Sequence, residues 1–234
     1  MDALVAAAIH DAKNQLSALG VWLGEAQSEF AALTPAASPA LGRALAITTT
    51  LSAQLVELLA LFRAGEGTLR LAVEDHYLED FLADLMAELE QSRPSDAHAE
   101  ETGGSAAAIT IVRDFAATTT VSTWAFDAYL VKFALLDALR NALRKARSQV
   151  RVSLATDPGG GIRFDVEDDG PGYPAAVLDN AGGGGMSADS SGLGLTFARL
   201  IASRHATPSG QYGQLRLAND ALAAGGARFS LILP

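Results

Sequence analysis

The chain has 234 residues, 49% of them apolar, no cysteine and a net charge of -10. It is long enough to bury a real core; disulfides and thiolate metal sites are excluded, and so acidic a surface repels nucleic-acid phosphates and anionic membranes. The first residues carry no basic region ahead of an apolar stretch, and no apolar run nears the ~20 residues of a membrane span, so a cytoplasmic protein without a membrane span is expected.

The opening stretch IHDAKNQLSAL places His10, Asp11, Lys13 and Asn14 inside an apolar pattern. Val5, Ile9, Ala12, Leu16, Leu19, Leu23, Ala26, Phe30 and Leu33 recur at alternating steps of four and three. That heptad seam predicts a helix packed along its length on other helices. TPAASPA breaks it. A second helix follows, with Leu41, Leu45, Thr48, Ser52, Leu55, Leu59 and Phe62 on one row and Ala44, Ile47, Leu51, Leu58 and Leu61 on another. One partner helix cannot cover two apolar rows, so the hairpin is expected to pair with a second copy as a four-helix bundle.

After RAGEGT the pattern changes. LRLAV reads as a strand, and DHYLEDFLADLMAELE as an amphipathic helix with Asp75 at its N-cap. A polar loop leads to ITIVRDF and TTVSTWAF, which read as two strands meeting at a short turn, and then to the long helix DAYLVKFALLDALRNALRKAR. VRVSLAT, DPGGG and IRFDVED form a hairpin by turn chemistry. A glycine-rich segment, a helix GLTFARLIASRH and the strands GQLRLAN and ARFSLIL complete the chain. Such blocks predict an α+β sandwich, one sheet covered by helices on one side.

Three places carry chemistry. VEDDGPGYP sets Asp168 at a strand end, followed by Gly170 and Gly172, and SSGLGL sets Gly192, Leu193 and Gly194 at a helix start. Glycines let a backbone approach a ligand, and a helix N-terminus offers N–H groups to phosphate. A carboxylate at a strand end can accept from an adenine amino group; the plain alternative is a β-turn and a helix cap. In LLDALRNALRKA, Asp137 and Asn141 share a helix face, and Arg144 and Lys145 follow. Oxygens for magnesium beside cations for phosphate suit a Mg2+–triphosphate site; the alternative is a solvated face.

The order of these pieces resembles sensor histidine kinases of two-component systems. DALRNALRK is similar to their N box, VEDDGPGYP to the G1 box, SSGLGL to the G2 box and GGARFSLILP to the terminal strand of their Bergerat-fold HATPase_c domain, over about Leu69 to Pro234. HDAKNQL is similar to the H box of their dimerisation and phosphotransfer hairpin, expected at 1–64, with the ATP-binding domain at 69–234. The resemblance implies a homodimer that binds ATP and Mg2+, with Asn141 and Asp137 at the metal. His10 would be phosphorylated, and an aspartate of a response regulator receiver domain would receive the phosphoryl group. Asp11 would assist the imidazole, and Asn14 would orient water in a phosphatase reaction.

The chain departs from the family at Gln15, where proline is common, at Asp137, where asparagine is usual, and at Ser190, in place of the first G2 glycine. DNAGGGGMSADSS reads as a short lid. Two other functions therefore stand beside the kinase: a histidine phosphotransferase whose Bergerat-like domain no longer uses ATP, and an anti-sigma factor serine kinase, against which the HDAKN hairpin argues. His76, His98 and His205 share no metal-ligand spacing and read as surface residues or caps, and Trp22 and Trp124 as packing residues.

Overall fold

The computed structural model describes residues 2–31, 38–91, 109–115, 121–179, 193–222 and 225–234. The chain divides into two compact units, one running to Leu69, the other holding Arg70–Gln91 and the described residues from 109 onward.

The first unit is a pair of long helices, α1 (Asp2–Ala31) and α2 (Ser38–Gly65), packed on each other. Gly20 of α1 faces Thr48 of α2, where an added Cβ would meet Thr48 Cγ2 at an ordinary 3.7 Å. Thr48 and Leu59, from the first predicted row of α2, are buried. The second row behaves differently: Ile47, Leu51 and Leu58 are 60%, 43% and 42% exposed. In α1, Ala12, Leu16, Leu23 and Ala26 are half-buried, whereas Leu19 is exposed. Trp22, read as a packing residue, is 66% exposed in the single chain: its position falls off the seam. Leu33 and Thr34–Ala37 lie outside the described residues.

The second unit is α+β. Its main sheet has five strands in the order β2-β4-β5-β7-β6: β2 (Thr110–Asp114), β4 (Gln149–Thr156), β5 (Ile162–Asp168), β6 (Gln214–Ala218) and β7 (Arg228–Leu233). A separate two-stranded sheet pairs β1 (Glu74–Tyr77) with β3 (Thr123–Phe126). The helices are α3 (Leu78–Gln91), α4 (Ala128–Lys145), the short α5 (Ala175–Asp179) and α6 (Leu193–Arg204).

Three expectations fail here. ITIVRDF and TTVSTWAF do not form a hairpin: β2 runs parallel to β4, and β3 pairs with β1. The LRLAV strand and the Asp75 N-cap shift as well. Leu69–Val73 is irregular; Asp75, His76 and Tyr77 are strand residues, His76 opposite Trp124, and the helix starts at Leu78. The His76 ring lies 5.1 Å from that of Phe126, so tertiary packing overrides the capping signal.

The DPGGG hairpin forms as read, pairing Val150–Thr156 with Ile162–Asp168. Val150, Val152 and Leu154 of β4, Ile162, Phe164 and Val166 of β5, and Phe229, Leu231 and Leu233 of β7 are buried on one face by the period of two. Over them α4 packs on β4 and β5, and α6 on β6 and β7. Phe81, Phe126 and Phe164 meet edge to face at 4.9–6.0 Å, joining α3 and the small sheet to the main one. The opposite face carries charge pairs: Glu167 with Arg228 (2.7 Å) and Arg151 (3.6 Å), Asp165 with Arg163 (2.8 Å).

One buried polar hub starts α4. Asp127 is its N-cap: Oδ1 accepts from the Leu130 N–H and Oδ2 from the Ala72 N–H, both at 2.9 Å. The Asp127 N–H donates to His205 Nε2 at 3.0 Å, and Nδ1–H of the same ring donates to the Ile201 carbonyl at 2.8 Å. His205 is therefore a neutral, buried link between α4 and the end of α6, and not a surface residue. Burial pushes its pKa below 6.5, against the opposing pull of the Ile201 carbonyl and Asp127. A histidine with a lowered folded-state pKa binds fewer protons folded than unfolded. Its contribution to stability is complete above about pH 6.5 and is lost as pH falls through the lowered value. In denaturant titrations, His205→Phe, which leaves the Asp127 N–H unpaired, should cost ~1–3 kcal/mol at pH 7.5. It should also flatten the loss of stability that the parent protein shows as pH falls below about 6.5.

Candidate functional site

Three chain segments converge beside the C-terminal half of α4. The first is α4 itself. Its buried face is Leu130, Val131, Ala134, Leu135, Leu136, Ala138, Leu139 and Ala142, which turns Asp137 and Asn141 to the other side. Asn141 Nδ2 donates to Asp137 Oδ2 at 2.9 Å, and Arg144 donates to Asn141 Oδ1. Burial raises the Asp137 carboxyl above its ordinary range; Arg144, Arg140 and the Asn141 amide oppose the shift. Arg144 and Lys145 are exposed cations in the last turn.

The second segment is the turn after β5. Asp168 ends that strand at 5% exposure, with Oδ1 accepting from the Gly170 N–H at 2.8 Å. Burial raises this carboxyl too, against the lowering effect of hydrogen bonds from Gly170 and Ala227. An added Cβ on Gly170 would come within 2.4 Å of the Lys145 carbonyl oxygen. The turn thus rides on the end of α4 at a distance only glycine allows. Gly172 has φ +81°, and a Cβ there would meet the Gly225 oxygen at 2.2 Å.

The neighbour Asp169 acts differently. Its carboxylate accepts from Ser148 Oγ and from the N–H groups of Ser148 and Arg147 at 2.5–3.1 Å. With the Ser148 hydroxyl contributing most, these bonds hold it well below the usual carboxylate range. Asp169 ties the β5 turn to the turn between α4 and β4, and Asp168 is left for the site.

The third segment is the start of α6. An added Cβ on Gly194 would lie 2.1 Å from Asp137 Oδ2. The GLGL glycine and the α4 carboxylate therefore touch, although 57 residues separate them in the sequence. Leu193 begins the helix and is half-buried. Gly192, Ser190 and the predicted lid lie outside the described residues.

Asp137, Asn141, Asp168, Gly170, Gly172 and Gly194 are thus gathered around one end of α4. His10, Asp11 and Asn14 belong to α1, in the other unit. Asn14 is exposed; the side chains of His10 and Asp11 lie outside the described residues.

Two residues went unread in the sequence. Tyr173 is half-buried beside this turn, its phenol ionisation raised by burial and then by the charges of Asp168 and Asp137. Asn219, at the end of β6, accepts from the Tyr173 N–H at 2.7 Å and donates to its carbonyl at 2.9 Å. Tyr173 stands inside the quoted VEDDGPGYP; nothing in the spacing marks Asn219.

Asn141 and Asp137 supply hard oxygens, the donor type magnesium takes, alongside cations for phosphate. Among the described residues no group of three or more His, Cys, Asp or Glu is placed to hold a metal by itself. A metal here would share its shell with nucleotide oxygens, and Asn141 Oδ1 would have to exchange Arg144 for the ion.

Residues 126–234 match the sequence model of the histidine kinase-, DNA gyrase B- and HSP90-like ATPases. No curated protein matches the chain. Among solved structures, full-length ShkA in complex with AMPPNP is similar over 100% of this chain at 20% identity and TM-score 0.63; the chain spans 46% of that protein. The Acinetobacter baumannii histidine kinase AdeS is similar at 17% identity and TM-score 0.56, over 83% of each chain. The catalytic domain of histidine kinase ThkA matches at 15% identity and TM-score 0.51, over 70% of this chain and 98% of that one. No helix among the described residues is long and apolar enough to cross a membrane. Residues 126–234 are therefore similar in sequence to the histidine kinase-, DNA gyrase B- and HSP90-like ATPases, in a chain that shares the fold of solved histidine kinases.

Proposed function

We propose that this chain is a cytoplasmic, ATP-dependent protein histidine autokinase of a two-component system. It phosphorylates its own His10 and passes the phosphoryl group to an aspartate on a response regulator receiver domain. The observation that carries this reading is the packing of Gly194 on the Asp137 carboxylate, which gathers α4, the Asp168 turn and the start of α6 into one site. Residues 1–64 are assigned to dimerisation and phosphotransfer, and 69–234 to ATP binding.

Asp168 accepts from the adenine amino group, and the glycines admit the nucleotide close to the backbone. Arg144 and Lys145 attract the phosphates, and Asn141 with Asp137 would hold Mg2+, whose charge offsets that of the phosphate oxygens. A neutral nitrogen of His10 attacks the γ-phosphorus; the bond to the bridging oxygen breaks, and its electron pair leaves with ADP. Asp11 supports the positive charge that develops on the imidazole. Asn14 is assigned to orient water against the regulator's phosphoaspartate in a phosphatase reaction.

The contact of Arg144 with Asn141 Oδ1 favours a second reading. A histidine phosphotransferase that no longer uses ATP could keep that oxygen permanently engaged. The anti-sigma factor serine kinase has no such observation behind it.

Incubation with ATP labelled at the γ-phosphate separates the two. The kinase acquires an acid-labile, base-stable label that His10→Ala abolishes; a protein that binds no ATP in calorimetry with magnesium present is the phosphotransferase. Gly194→Ala forces a methyl group onto Asp137. Overpacking of this kind costs ~1–3 kcal/mol, so nucleotide affinity should fall by roughly tenfold or more. The exposed row of Ile47, Leu51 and Leu58 supports a dimer through α1 and α2. Leu51→Lys should convert dimer to monomer in light scattering while helix content by circular dichroism stays unchanged.

A further inference from the structure

A groove of about 450 Å3 opens in the second unit where β1, α3 and the first turn of α4 meet. It lies toward the other end of α4 from the candidate site: Tyr129 and Asn141 are 12 residues apart, about 18 Å along the helix. The nucleotide reading makes no use of it. Asp75 and Tyr77 stand on one face of β1. Asp80 and Asp84 share a face of α3, one turn apart. Tyr129 and Lys132 belong to the start of α4, and buried Phe81 adds an apolar wall.

Two features set this groove apart from an ordinary solvated surface. The first is its aromatic rim. Tyr77 and Tyr129 are 66% and 52% exposed, and the Tyr129 ring rests on Phe133 with centroids 4.9 Å apart. The second is its charge. Three carboxylates face one ammonium, and Lys132 is already paired with Glu88 at 3.4 Å. Among the described residues no cation pairs with Asp75, Asp80 or Asp84.

Carboxylates beside exposed rings suit a flat, weakly hydrated cation. A guanidinium stacks on a ring, and its fork of N–H groups meets carboxylates directly; an ammonium is a strongly hydrated point charge. The volume matches pockets that take a whole small ligand, more than one guanidinium fills, and the tyrosine rim is open to solvent. We infer that this groove docks an arginine-bearing segment of a partner protein, with Asp80 and Asp84 receiving the guanidinium and Tyr77 and Tyr129 covering it. The chain's net charge of -10 draws such a partner in.

The test is fluorescence anisotropy on the full chain. The probe is a fluorescein-labelled pentapeptide with two arginines; in the comparison peptides lysine, or citrulline, the uncharged isostere, replaces both. The parent should bind the arginine peptide roughly fivefold or more tightly than either comparison peptide. Asp80→Asn/Asp84→Asn should weaken that binding roughly tenfold, and Tyr129→Leu roughly threefold. Glu66→Gln/Asp179→Asn, which removes the same charge from exposed positions outside the groove, should leave it within about twofold of the parent. The arginine-to-citrulline ratio is taken within each protein, so a partly unfolded variant cannot imitate the effect. Equal binding of the arginine and citrulline peptides by the parent overturns the inference, as does a lysine peptide that binds as tightly, or a control pair that weakens binding as much as Asp80→Asn/Asp84→Asn does. Free argininamide that matches the arginine peptide gives the groove to a small cation. A dimer that Asp80→Asn/Asp84→Asn dissociates in light scattering gives it to a second copy of the chain. Either outcome overturns the partner segment. No measurement here uses ATP, so the nucleotide reading stands or falls separately.

Discussion

Backbone and carboxylate meet at Gly194 and Asp137 with no room for a side chain between them. Everything in the site depends on that approach. It brings the start of α6 to the polar side of α4, and α6 is held there by the burial of Phe197 and Ile201 on its other side. The same device recurs at Gly170 against the Lys145 carbonyl and at Gly226 against the Asp168 carbonyl. Close packing that leaves no slack makes each of these glycines a spacer whose size sets the geometry of the site.

The three acidic groups around α4 show how one local composition yields different electrostatics. Asp169 is surrounded by donors and is held strongly ionised. Asp168 and Asp137 are buried with fewer donors, and their carboxyls rise. Desolvation disfavours charge, and hydrogen bonds to the charged form restore it. Asp169 therefore serves as a structural tie. The other two keep electrostatic demand that a ligand's donors or a cation could satisfy. The Arg144–Asn141–Asp137 chain along α4 meets part of that demand from within the helix.

Much of the fold was legible because it rests on local periodicity. The long helices, the β4–β5 hairpin, α4 with its Asp127 start, α6 and the last two strands follow from patterns of 3.6 and 2 residues and from turn chemistry. The places that misled were those where partners lie far apart in the sequence. The pairing of β2 with β4 and of β3 with β1 is decided by which edges remain to be covered, and nothing in ITIVRDF or TTVSTWAF states it. His205 gave no local sign of burial, since its partner is the N–H of Asp127, 78 residues away.

By itself the sequence determined which residues could do chemistry: the strand-end Asp168, the glycines after it and at α6, and Asp137 with Asn141 on one helix face. Residue type and short spacing decide such capacities, and both are written in the chain. Only the tertiary structure decided which of them meet. Gly194 reaches Asp137 and Asn219 grips Tyr173, because packing helices on a sheet brings together groups that no local rule relates.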